Sequence, residues 1–282
     1  MARNNKNRVQ RQASTPQAVP ISQSSIFSFT APTEVVDIPS EGKFYPSGHP
    51  LHNKDSVEIK FMTAKEEDIL VNKAYLRRGD VLDRLLKSVI LDSSIEIDTL
   101  LLGDKNALVY ATRIAGFGSS YVTEVKCPRC RETHSHEFNL AENLTLQHAE
   151  YEDKDVELTP EGTFIIKNLP HTHADVEVKL LNSGEEAART RRIEQKEKKN
   201  LNYSFVKEYM TSFILSVNGE EDTAYIDSFL DNAPARDTRL LREIYEQLTP
   251  AAALNHEYDC EGCGKISPLE VPLSAEFFWP QR

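Results

Sequence analysis

Apolar residues recur along this chain with two different periods. Val57, Ile59 and Phe61 alternate with polar neighbours, the two-residue period of a half-buried strand. Upstream, Ile38-Pro39-Ser40-Glu41-Gly42-Lys43-Phe44-Tyr45-Pro46 places prolines and a glycine where a helix would break, so residues 34–62 read as extended structure with turns. Thr63-Ala64-Lys65-Glu66 has the form of a capping box and predicts a helix carrying Ile69, Leu70 and Tyr75 up to Gly79. Val81, Leu82, Leu85, Leu86, Val89 and Ile90 form the stripe of a second helix begun by Asp80. Asp104 is placed to cap a third, running through Leu108, Ala111 and Ile114 to Gly116 and Gly118.

Strand character returns at Tyr121, Val122 and Val125, and at Phe138 and Leu140. Between 156 and 181, Val156 with Leu158, Phe164 to Ile166, and Val176 with Val178 and Leu180 predict a β-rich patch, its first two strands turned by Glu161-Gly162. Residues 184–200 interleave acids and bases as a solvated helical face does. From 203 to 249 the pattern reads as purely helical. Phe205, Val206, Tyr209, Met210, Phe213, Ile214 and Val217 share one face and read as core, followed by a short helix at Ile226, Phe229 and Leu230. A longer one carries Leu240, Leu241, Ile244, Tyr245 and Leu248, between Pro234 and Pro250. Leu269-Glu270-Val271-Pro272-Leu273 reads as a last strand. Strands and helices come in runs, not in alternating βαβ units, so the expected fold class is α+β with antiparallel strands.

Composition excludes some classes of function. The 282 residues suffice for a substantial core, and the mean hydropathy is −0.48. No apolar run approaches the roughly 20 residues that span a bilayer, and the first 25 residues contain no apolar core of a secretory signal. The net charge of −11 is unevenly spread: residues 1–33 hold Arg3, Lys6, Arg8 and Arg11 and no acid, a net of +4, which leaves −15 for the remainder. That first segment reads as a disordered basic arm. The acidic body makes nucleic acid an unlikely main ligand, because phosphate binding needs clustered cations.

Four cysteines occur, as Cys127-Pro-Arg-Cys130 and Cys260-Glu-Gly-Cys263. Each C-x-x-C puts two thiolates on a tight turn, one edge of a tetrahedron, and two such pairs complete the closed four-cysteine form of structural zinc. Cys127, Cys130, Cys260 and Cys263 are therefore the candidate ligands of one Zn2+. Strand-like flanks make the layout that of a zinc ribbon. It is split, because 129 residues separate Cys130 from Cys260; the β-rich and helical segments between them must leave and return to one place, which loop-closure entropy permits at low cost. A thioredoxin-like redox motif fits less well, since its pair opens a helix. Separate sites, each completed by histidines, are the other alternative, but His134, His136 and His256 read as exposed or packing residues, and His171 and His173 form no ligand spacing. No phosphate-loop, dinucleotide, metalloprotease or nucleophile-elbow motif is present, and a closed four-cysteine site has no open position for a substrate. The expected organisation is a basic arm at 1–33, an α+β part at 34–140 with the first knuckle, a β-rich insertion and charged linker at 141–200, a helical subdomain at 201–250, and the second knuckle with an aromatic terminus at 251–282.

Several segments, in order, resemble the T4-type bacteriophage baseplate protein family: Ile38-Pro39-Ser40 with Tyr45-Pro46, then Met62 to Leu70, the Leu85-Leu86 helix, and Leu101-Leu102-Gly103-Asp104-Lys105-Asn106. Arg113-Ile114 leading into Gly116-Phe117-Gly118, the two cysteine pairs, and Phe277-Phe278-Trp279-Pro280 complete the set. The resemblance implies a non-enzymatic structural or assembly protein of a contractile tail baseplate, at the hub. Its implied partners are other tail proteins, such as hub or tape-measure proteins, and its implied place is the virion tail, with the host cytoplasm during assembly. Zinc rests on the cysteines and not on the resemblance. The competing reading is a zinc-ribbon nucleic-acid-binding or regulatory protein, for which the basic arm is the sole support. Phe277, Phe278 and Trp279 are expected either to fold back on the core or to anchor a neighbour.

Overall fold

The computed structural model describes residues 31–152, 155–199, 203–271 and 275–278. The chain opens with the antiparallel ribbon β1 (Thr33–Asp37) and β2 (Ser56–Lys60), followed by α1 (Ala64–Val71), α2 (Lys73–Arg78), α3 (Val81–Val89) and the long helix α4 (Leu102–Phe117). The hairpin β3 (Ser120–Lys126) and β4 (Thr133–Asn139) leads through α5 (Leu140–Asn143) into β5 (Leu144–Gln147). Then come β6 (Val156–Leu158), β7 (Phe164–Ile166), β8 (Val176–Val178), α6 (Ser183–Lys198), α7 (Phe205–Phe213), β9 (Ile214–Val217), α8 (Thr223–Asn232) and α9 (Ala235–Leu248). The hairpin β10 (Ala251–Asp259) and β11 (Ile266–Glu270) and a short 3-10 turn at Ala275–Phe278 close the described chain. The sheets are β1-β2, β3-β4, β11-β10-β5 and β6-β7-β8-β9, all antiparallel. This is the α+β class that the pattern predicts.

Most local expectations hold. The capping box at Thr63 and Glu66 forms, and Gly79 ends the helical segment in the left-handed conformation, with φ 73°. That segment is two helices, because Asn72 breaks it by accepting from the N–H groups of Ala74 and Tyr75. The N-terminal arm lies outside the described residues up to Thr30, and Thr33 already belongs to β1. Some expectations need correction. Residues 203–249 are not purely helical: α7 stops at Phe213, and Ile214 to Val217 form β9 on the open edge of β8, with a bulge opposite Glu177 and Val178. Two β-branched residues there find a partner strand, and tertiary pairing overrides the helical stripe. At the other end of that stripe, Phe205 and Val206 are exposed, not core. The last strand sits earlier than expected, at Ile266–Glu270, and its partner β10 has no sequence signal, since Ala251 to Ala253 carry little β-propensity.

The third helix also starts differently. Its N-cap is Leu101, and Asp104 points inward instead of capping. Asp104 is buried and accepts from Ser40 N at 3.0 Å, Ser40 Oγ at 2.6 Å and Tyr45 Oη at 2.7 Å. Tyr45 Oη in turn accepts from Leu101 N at 2.9 Å. The Ser40, Tyr45 and Leu101-to-Asp104 segments, far apart in sequence, are thus one hydrogen-bonded cluster. Gly103 lets this end of α4 touch the start of β10, where a Cβ would collide with the Pro250 carbonyl oxygen. At the other end, Arg113 is fully buried and, among the described residues, is met by carbonyls alone: Phe277 O at 2.5 Å, Gly118 O at 2.6 Å and Ser120 O at 3.1 Å. The rings of Phe117, Tyr121 and Phe277 lie within cation–π reach.

Two predictions follow from these buried polar groups. Asp104→Ala strands three donors and should lower the unfolding free energy by about 3 kcal/mol in denaturant titrations; Ser40→Ala should cost less, about 1 kcal/mol. Glu66 is buried too. Burial opposes its charge, but Lys60, Ser88 and Thr63 outweigh it and hold its pKa at about 2. A depressed pKa gives stability that is complete above the unfolded value and lost as pH falls through the folded one. Stability should therefore fall between about pH 5 and pH 2, and Glu66→Gln should flatten part of that slope by roughly 2 kcal/mol.

Candidate metal centre

The two hairpins β3-β4 and β10-β11 each carry one cysteine pair on the turn that joins their strands. The backbone of the two turns repeats, residue by residue. Cys127 N donates to Glu132 O at 2.9 Å, and Cys260 N to Lys265 O at 3.2 Å. Arg131 N donates to Cys127 O at 3.0 Å, and Gly264 N to Cys260 O at 2.8 Å. Both turns close through a left-handed residue, Arg131 at φ 63° and Gly264 at φ 60°. The sulfurs are served alike: the backbone N–H groups of Cys130 and Arg129 point at Cys127 Sγ, and those of Cys263 and Gly262 at Cys260 Sγ. Glu132 N and Lys265 N serve Cys130 and Cys263 in the same way.

The four sulfurs meet. Cys127 Sγ lies 3.8 Å from Cys263 Sγ and Cys130 Sγ lies 3.7 Å from Cys260 Sγ, and all four are within 4.8 Å of one another. A tetrahedron with Zn–S bonds of about 2.3 Å has edges of about 3.8 Å. The separations far exceed the roughly 2.05 Å of a disulfide, and all four cysteines are free thiols. The backbone N–H groups of Cys130 and Arg129 draw the Cys127 thiol down to about 6, against its burial. Cys260 is lowered despite burial, by the N–H groups of Cys263 and Gly262. Cys130 is pushed up to about 12: the N–H of Glu132 favours its thiolate, but burial and the three neighbouring sulfurs prevail. Four sulfurs packed this closely cannot all ionise without a cation, and the donors aimed at them suit thiolates. The residues fit a tetrahedral, thiophilic divalent ion.

The surroundings explain how the hairpins are held. Among the described residues β4 and β10 share no backbone ladder, but their inner faces touch. His136 Nε2 lies 2.9 Å from His256 Nε2, whose Nδ1 lies 3.1 Å from the Asn143 side-chain nitrogen. Phe138 and Tyr258 pack edge-on against these rings. His136 and His256 are packing residues, as their alternation with Phe138 and Tyr258 suggests. The hydrogen bond between them was not foreseeable, because it joins strands 120 positions apart. Arg113 was also missed. It binds the first residue of β3 and the carbonyl of Phe277 beyond β11, so one guanidinium ties the root of the first hairpin to the segment that follows the second. Phe277 and Phe278 are buried, with Phe277 against Tyr110 and Tyr121, so these two aromatics do fold back on the core. Trp279 lies outside the described residues.

The matched turns make an asymmetric prediction. Gly264→Ala forces an alanine into the left-handed region and should cost roughly 1–2 kcal/mol. Arg131→Gly relieves the same strain in the other turn and should be close to neutral, the relief offset by added freedom of the unfolded chain. Denaturant titration of the metal-loaded protein measures both.

No curated protein and no solved structure shows significant similarity to the chain. A family model does match, over residues 31–279, and its description is T4 bacteriophage base plate protein. The match runs from β1 through α4 and both knuckles to the buried Phe277 and Phe278. The chain belongs to the T4 bacteriophage base plate protein family.

Proposed function

We propose that this baseplate protein acts without catalysis, as a structural or assembly component at the hub, and that its four cysteines hold one structural Zn2+. The observation that carries the reading is the convergence of Cys127, Cys130, Cys260 and Cys263 from two matched knuckles. Four protein ligands leave a bound ion no open position, so its contribution is to clasp the fold and not to activate water or a substrate. Membership of the family implies a place in the virion tail and contacts with other tail proteins. Hub neighbours and the tape-measure protein are the partners proposed here, with the host cytoplasm as the place of assembly.

The charge around the clasp agrees with protein partners. Lys126, Arg129, Arg131 and Lys265 are exposed, but so are Glu132, Glu257, Asp259 and Glu261. No cationic stripe of the kind that tracks a phosphate backbone is formed among the described residues. Among the described residues no helix is long and apolar enough to cross a membrane.

The test is to remove the clasp and follow folding and assembly together. Chelation of the purified protein, or Cys260→Ser, should lower the melting temperature substantially. The loss should stay below the ~10 kcal/mol that zinc supplies to minimal domains, because a large core persists. Phage carrying Cys260→Ser should yield fewer complete baseplates. A variant that melts like the parent and assembles normally would contradict the reading.

A further inference from the structure

Beside the four sulfurs, the outgoing limb of the first knuckle assembles a second donor set. Cys130 Sγ, a Glu132 carboxylate oxygen and a His134 ring nitrogen all lie within 4.8 Å of one another. The left-handed turn at Arg131 folds the chain so that Cys130, in the knuckle, and His134, in β4, converge with Glu132 between them. Cys130 Sγ is 3.9 Å from Glu132 Oε2, and Glu132 Oε2 is 3.6 Å from His134 Nε2. The second distance is too long for a hydrogen bond. Both approach the spacing that a shared ion imposes, since bonds of about 2.3 Å to sulfur and 2.0–2.1 Å to nitrogen and oxygen set donors roughly 3.3–3.6 Å apart.

Two further observations point into this triangle. His134 Nε2 is shielded from solvent and finds no hydrogen-bond partner among the described residues. A shielded polar atom left without a partner is costly. The facing knuckle also leaves room there: a Cβ on Gly262 would collide with Glu132 Oε2 and lie 3.1 Å from His134 Nε2. Gly262 has no positive φ that would demand glycine, and what a side chain at this position would meet first is the donor pair.

We propose that Cys130, Glu132 and His134 form an accessory site for a second divalent transition ion, bridged through the Cys130 thiolate to the ion of the four-cysteine site. The inference rests on the four-cysteine reading. Four thiolates and one divalent ion leave a net charge of −2, and Glu132 adds another negative charge beside it. Among the described residues no Lys or Arg pairs with Glu132; its recorded ionic neighbour is His134. A second cation answers that charge. A set of one sulfur, one nitrogen and one oxygen suits zinc, cobalt or nickel and disfavours magnesium and calcium. With three protein ligands and water completing its shell, this ion is held more weakly than the first and exchanges more readily.

The test is a Co2+ titration of the full-length reduced protein without oxygen, read by absorbance, with bound metal counted by mass spectrometry. Two equivalents should bind, the first giving the charge-transfer bands of a four-sulfur tetrahedron and the second binding more weakly. His134→Ala should leave the first equivalent unchanged and weaken the second at least about tenfold. Gly262→Ala pushes a methyl group into the accessory site and should also weaken the second equivalent, which is the readout for this variant because the Gly262 N–H serves Cys260. Saturation at one equivalent, or a second equivalent unaffected by both substitutions, overturns the accessory site while the four-cysteine site stands. A protein that binds no cobalt overturns both.

Discussion

The buried guanidinium of Arg113 is the constraint on which the geometry of this fold depends. An arginine taken out of water without a counter-charge is expensive unless its donors are met. Here three backbone carbonyls meet them, and each belongs to a place where the chain changes direction: the end of α4 at Gly118, the start of β3 at Ser120, and Phe277 beyond β11. To satisfy one side chain, the protein must bring its first cysteine hairpin and its C-terminal segment to the same end of one helix. Asp104 plays the corresponding part at the other end. It gathers Ser40 and Tyr45, while the neighbouring Gly103 admits the root of β10. Both cysteine hairpins are rooted on α4 before any metal is considered.

This arrangement explains how a ribbon site tolerates so long an interruption. The chain between the two cysteine pairs leaves after β4 and returns along β10. On the way it builds the sheet β6-β7-β8-β9 with helices α6 to α9. Closing that loop costs entropy that grows only logarithmically with length. The contacts that offset it lie at its base: β5 pairs with β10, and His136 meets His256. The sulfur cluster then sits at the far tips of hairpins whose roots are already fixed. An ion there would lock an arrangement that the core has brought together, so its removal is expected to loosen the protein and not to prevent folding outright.

Much of this was legible in the sequence, for definite reasons. C-x-x-C spacing determines a local turn, and two such turns in a chain without other cysteines have one economical solution. The capping box at Thr63, the turn at Gly162 and the stripe Leu85, Leu86 and Val89 depend on neighbours within one turn of chain. What escaped notice depends on distant partners. Asp104 looks like a cap until Ser40 and Tyr45 reach it. Ile214 to Val217 continue a helical stripe until β8 offers an open edge. Ala251 to Ala253 become a strand only by pairing with β5. Arg113 stands out as part of a family segment, but nothing nearby reveals that its partners are carbonyls on both sides of the cysteine hairpins.

For a baseplate component, a fold tied at both ends to one helix and clasped at the hairpin tips would present a stiff body to its neighbours. That account turns on the identity of the atoms around the ion. X-ray absorption at the zinc edge, on full-length protein loaded with one equivalent of Zn2+ per chain, measures them directly. The account predicts a single shell of four sulfurs at about 2.3 Å. A shell dominated by nitrogen or oxygen at about 2.0–2.1 Å, or zinc that washes out of a protein still folded and unchanged, would contradict it.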